Sequence, residues 1–159
     1  MIVRATIADD YDAIVRVVEQ GGVFNDEEAS MVRQLLDYYF REPEQDEYLF
    51  ISAAEDRRVY GFACYGRIAL TEKNYELNWI ATDSTALRGG VGSALLLAVE
   101  DLSRARGGRF LNLETSTTEP YAAARAFYDR HGYSMVAHIA DYYADGDDML
   151  IYRKELLRL

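Results

Sequence analysis

Three glycines within four positions, Gly89, Gly90 and Gly92, separate the strand-like run 79–83 from an amphipathic stretch that reaches Asp101. Glycine lets backbone amides stand where a side chain would block approach, and a helix N-terminus adds partial positive charge. The turn therefore has the chemistry to wrap a phosphate, and a polyanionic cofactor fits it. The spacing is not the G-x-G-x-x-G of dinucleotide folds, and no lysine follows the last glycine as a P-loop requires. Arg88 and Arg125 are cations that can add positive potential for such a ligand.

Carboxylates and phenols supply a second set of reactive groups. Strand alternation puts Glu76 and Asn78 on one face of one strand, and Asn112 and Glu114 on one face of the next, so either pair can line a cleft. On a helix, Tyr121, Arg125 and Tyr128 share one face at i, i+4 and i+7, while Ala123, Ala126 and Phe127 turn elsewhere. Asp141, Tyr142, Tyr143, Asp147 and Asp148 form an acidic, aromatic segment suited to a cation, although Asp145-Gly146-Asp147 also reads as an ordinary turn. His131 and His138 are solitary. Cys64, the single cysteine, reads as a buried thiol on a strand, and no Cys/His spacing points to a metal.

The run Leu87-Arg88-Gly89-Gly90-Val91-Gly92-Ser93 resembles the acetyl-CoA pyrophosphate loop of the GNAT N-acetyltransferases, whose pattern is Gln/Arg-x-x-Gly-x-Gly/Ala. Gly90 and Gly92 fall on its two glycines, and Leu87 stands where the family has Gln or Arg. Residues 124–133, ARAFYDRHGY, are similar to a signature that lies late in the same family. The resemblance implies an acetyl-CoA-dependent N-acetyltransferase acting by direct transfer, with residues 87–93 on the pyrophosphate and Ile80 and Thr82 pairing with the pantetheine arm in strand fashion. It implies Tyr128 as general acid to the departing thiolate, and Tyr121 at a position where many relatives carry a cofactor-binding asparagine. Glu76 matches the catalytic glutamate of histone-acetylating relatives and Glu114 that of the ribosomal-protein alanine acetyltransferases; which of them serves as base stays open. Asn78, Tyr142 and Tyr143 are the expected acceptor contacts.

The elements that must position these groups follow from periodicity. Residues 2–7 read as a strand, and Asp9 or Asp10 caps a helix carrying Ile14, Val17 and Val18. Asn25 and Glu28 make a capping box before a helix striped by Met31, Leu35, Leu36, Tyr39 and Phe40, which Pro43 ends. A hairpin turning at Asp56-Arg57-Arg58 and a third strand come next. The glycine-turn helix shows Val91, Leu95, Ala98 and Leu102 on its apolar side, with Glu100, Asp101, Arg104 and Arg106 opposite, and stops at Gly107-Gly108. Strand, helix and two further strands complete the chain.

The 159 residues suit one α/β domain spanning the whole chain, with a mixed sheet antiparallel in its first half, a splayed parallel pair at the cofactor site and flanking helices. The formal charge of −10 argues against a nucleic-acid surface, which needs a basic stripe. No run is apolar enough for a membrane span and the N-terminus lacks a signal-peptide pattern, so the cytoplasm is expected. The acceptor is a small-molecule amine or a peptide, a homodimer is compatible with the resemblance, and a non-catalytic acyl-CoA sensor or another phosphate ligand are the competing readings.

Overall fold

The computed structural model describes residues 1–86 and 89–157, so Leu87 and Arg88 of the expected cofactor loop lie outside the described residues. Among the described residues, seven strands form one sheet: β1 (Ile2–Ala5), β2 (Leu49–Glu55), β3 (Arg58–Arg67), β4 (Asn74–Thr82), β5 (Phe110–Ser116), β6 (Ser134–Ala144) and β7 (Asp147–Glu155). Their order is β1-β2-β3-β4-β5-β7-β6, and every neighbouring pair is antiparallel except β4 with β5. This is the mixed α/β sheet that the chain order implies.

Among the described residues, four α-helices cover the two faces. α1 (Tyr11–Gln20) and α2 (Asp26–Arg41) bury Ile14, Val18, Val32 and Leu36 against Phe50, Phe62 and Cys64. α3 (Val91–Ala105) and α4 (Ala122–Arg130) lie over the opposite layer, where Leu95, Leu96, Val99 and Tyr128 meet Ile51, Ala63, Leu77, Leu111 and Tyr152. Alternate residues of β2 and β3 feed the two layers, which is why these strands are buried almost without interruption. No described helix is long and apolar enough to cross a membrane.

Local chemistry accounts for the element ends. Asn25 Oδ1 accepts the Glu28 amide at 2.8 Å and Glu28 Oε1 accepts the Asn25 amide at 3.2 Å, so the capping box forms at α2. Asp10 stands at the N-cap position of α1, but its carboxylate serves the preceding turn, taking the Ile7 amide at 3.0 Å and both terminal nitrogens of Arg4. Gly61 lets α3 approach β3 closely: a Cβ there would stand 2.8 Å from the Ala81 carbonyl and 3.1 Å from Val91. Gly90, with φ 67°, takes the left-handed conformation at the N-cap of α3.

Two apolar stripes are rotated from the sequence expectation. On α2, Met31 and Phe40 face solvent, and Ala29, Val32 and Leu36 are the buried set. On α3, Leu102 is exposed whereas Glu100 is 4% exposed, among Leu96, Val99 and Ser103. Glu100 is accommodated because the Tyr133 hydroxyl donates to it at 2.9 Å and Lys154 Nζ at 2.8 Å.

Candidate active site

The parallel pairing of β4 with β5 covers only Asn74–Leu77 against Phe110–Leu113. Past that point each strand keeps its outer neighbour, Thr82 opposite Gly61 on β3 and Ser116 opposite Met149 on β7, while the facing edges part. The opening thus leaves the β4 backbone around Ile80 and Thr82 with a bare edge toward β5, able to accept an extended ligand in strand fashion.

A bulge sets which side chains meet there. Tyr65 pairs with Leu77 and Cys64 with Trp79, so Asn78 is the extra residue of β4. Plain alternation would separate Glu76 from Trp79 and Ala81. The inserted residue resets the phase, so Trp79 and Ala81 pack in the α1–α2 layer while Ile80 packs beside α3. Glu76 and Asn78 share the α1–α2 side as expected, since Asn78 meets the Cys64 thiol and Glu76 lies within electrostatic reach of Tyr48 and Cys64.

Carboxylates and phenols line this side of the opening. Burial, and then the like charge of Glu114, raise the Glu76 carboxyl above its ordinary range. Burial also pushes the Tyr143 phenol up to about 12, helped by the negative charge of Glu114 nearby. The Tyr121 hydroxyl donates to Glu28 Oε2 at 3.0 Å and lies within electrostatic reach of Asp147 and Tyr143. Glu28, read from sequence only as half of a capping box, and Asp147 therefore join Glu76 and Glu114 on one acidic wall. Asp141 and Asp148 do not. They hold the β6–β7 turn, where Asp141 accepts the Gly146 amide and Asp148 accepts the Asp141 amide and meets His138. Tyr142 is exposed and packs edge-on against Tyr143.

On the α3 side, Gly90 is the N-cap of α3, and Val91, Gly92 and Ser93 form its first turn, with Gly89 directly before. A Cβ at Gly90 would meet nothing within 4 Å among the described residues. α4 backs the turn: His131 Nδ1 contacts the Phe127 carbonyl at 2.8 Å and Nε2 contacts Ser93 Oγ at 3.0 Å. Because a carbonyl can only accept, Nδ1 carries a proton and donates it to Phe127, which fixes the orientation of the ring toward Ser93. Tyr128 is buried between Phe127, Tyr133 and Tyr152, and burial alone raises its phenol well above the ordinary value. Tyr121 and Arg125, expected at the cofactor, make hydrogen bonds within the chain. Tyr121 is engaged with Glu28, and Arg125 Nη1 donates to the carbonyls of Ser116 and Thr118 at 2.7 and 2.9 Å.

A sheet split beside a glycine turn that opens a helix is the arrangement expected of the family that the loop resembles. The Acetyltransferase (GNAT) family profile matches residues 14–133. The chain belongs to the GNAT acetyltransferase family. It is 28% identical over 108 residues to the uncharacterized N-acetyltransferase YsnE of Bacillus subtilis (strain 168), covering 68% of this chain and 70% of that protein. The solved structure of a GNAT-family protein from Desulfovibrio desulfuricans superposes with a TM-score of 0.94 at 39% identity, covering 98% of this chain and 99% of that one. An aminoglycoside 6'-N-acetyltransferase complexed with coenzyme A shares the fold, with a TM-score of 0.77 at 16% identity and coverage of 100% and 99%. The protein is thus an N-acetyltransferase, and its acyl donor is acetyl-CoA.

Proposed function

We propose that this GNAT enzyme transfers the acetyl group directly to the primary amine of a small cationic molecule. The observation that carries the reading is the wall of Glu28, Glu76, Glu114 and Asp147, with Tyr121 and Tyr143 among them, at the open end of β4 and β5. None of these carboxylates has an ion-pair partner among the described residues, so the wall offers a cation both charge and aromatic faces.

Acetyl-CoA supplies an activated acyl group on a thiolate leaving group. The amides of Gly90, Val91 and Gly92 hold its pyrophosphate, and the free edge at Ile80 and Thr82 aligns its arm. Glu76 is placed to take a proton from the incoming ammonium. Its raised pKa, set by burial and by Glu114, makes it a stronger base than an ordinary carboxylate once ionised. Tyr128, which like any phenol carries its proton at neutral pH, serves as the donor to the departing sulfur.

The test is release of free thiol from acetyl-CoA with diamines, polyamines, amino acids and short peptides, for the parent and for Tyr128→Phe. Turnover of small cationic amines, with kcat lower by about 100-fold in the variant, is expected. Turnover confined to peptides would replace this acceptor with a protein N-terminus. Coenzyme A binding without thiol release on any amine would defeat the reading.

A further inference from the structure

Arg125 lies on α4 one helical turn before Tyr128, and a free guanidinium beside a phosphate-binding turn would ordinarily be assigned to the phosphate. Its geometry says otherwise. One nitrogen, Nη1, donates to the carbonyls of Ser116, the last residue of β5, and of Thr118. The direction of the first carbonyl follows from its neighbour. Thr117 donates its amide to Asp148 on the β7 side, so by strand alternation the Ser116 carbonyl points away from β7, toward the side where β4 has parted.

Arg125 therefore occupies the bare edge of β5 inside the opening and satisfies an acceptor that a fully zipped sheet would give to β4. The same corner is locked from the other side. Ser116 Oγ donates to Asp147 Oδ1 at 2.5 Å and accepts the Thr118 amide at 3.0 Å. Glu114 lies two residues before Ser116 on the same strand. The seat of α4 on the Ser116 carbonyl consequently fixes where Tyr128 stands relative to Glu114 and to the mouth of the cleft.

We propose that Arg125 is a positioning residue of the transfer site: by holding the carbonyls at the end of β5 it keeps β4 and β5 apart and sets the helical turn that carries Tyr128. This rests on reading the opening as the acetyl-transfer site. A displacement of about 1 Å in a reacting group can cost on the order of 100-fold in rate, so the effect belongs in kcat rather than in cofactor affinity.

The experiment compares the parent, Arg125→Ala and Arg125→Lys by steady-state kinetics, by calorimetric binding of coenzyme A, and by the 13Cζ resonance of Tyr128, assigned with Tyr128→Phe. The expected result is a kcat lower by about tenfold or more in Arg125→Ala, with KM for acetyl-CoA and Kd for coenzyme A within about threefold of the parent. The Tyr128 resonance should shift, and added guanidinium ion or the lysine variant should recover part of the rate. A rise of about tenfold in KM and Kd at constant kcat would make Arg125 a phosphate ligand and overturn the proposal. Unchanged kinetics with an unmoved resonance would overturn it equally. Should Arg125→Ala fail to fold, Arg125→Lys carries the same comparison. Should the parent turn over no amine, the acceptor reading falls, while the Tyr128 resonance still decides the positioning role.

Discussion

Two glutamates on opposite sides of the sheet face the same physical problem and resolve it differently. Glu100, in the middle of α3, is almost fully buried and takes hydrogen bonds from Lys154 and Tyr133. Glu76, on β4 where the sheet begins to open, is also withdrawn from water, but its charged neighbour is Glu114, another carboxylate. A buried charge that has lost its hydration needs a partner, and Glu100 has two. Glu76 has instead a like charge that makes ionisation harder. The first arrangement joins α3 to β7 as part of the scaffold. The second leaves a carboxyl with no ion-pair partner among the described residues, and the proposed role of Glu76 as proton acceptor rests on that.

The largest expected effect breaks the satisfied member. Lys154→Met leaves Glu100 buried with the Tyr133 hydroxyl alone and should cost about 3 kcal/mol of stability, read as a lower midpoint in urea unfolding. Activity per folded molecule should stay at the parent level, because neither group lies in the opening. A loss of kcat at unchanged stability would end the distinction between the two glutamates.

Glu76→Gln should do the reverse, lowering kcat/KM about tenfold while raising thermal stability at neutral pH. The sign follows from linkage. The folded-state carboxyl titrates above its unfolded value, so its contribution to stability is complete at acid pH below the unfolded value and is lost as pH rises through the folded one. At neutral pH the carboxylate is a liability that glutamine removes. Melting curves at pH 4 and pH 7.5 test this: the gain should be present at pH 7.5 and vanish at pH 4.

The same contrast explains what the sequence disclosed. Element order, the capping box at Asn25 and Glu28, and the glycine turn were legible because each depends on neighbours a few residues apart. Glu100 was assigned to the polar side of α3 because a glutamate in a periodic stretch is normally solvated. Its partners, Tyr133 and Lys154, lie 33 and 54 residues away. Trp79 joins the Glu76 side through the bulge at Asn78, and an extra residue in one strand is defined only against its partner strand. Tyr121 matched a motif position, but its hydroxyl is claimed by Glu28, 93 residues away. Local motifs located the opening, and long-range pairing decided which groups face into it.

The repelling charge can be neutralised by itself. Glu76 is raised by two causes, burial first and Glu114 second. Glu114→Gln removes the second and keeps the first. The acid limb of the kcat/KM–pH profile, where activity rises as Glu76 ionises, should therefore move to lower pH while staying above the ordinary glutamate value of about 4.3. The ammonium of the acceptor titrates far above this window. The Tyr143 phenol also stays outside it, because even an unperturbed phenol titrates at about 10. An acid limb that did not move would assign the titrating base to a group other than Glu76. A limb that fell to the unperturbed value would mean that Glu114, and not burial, dominates at this carboxylate, reversing the order of causes that the buried position of Glu76 implies.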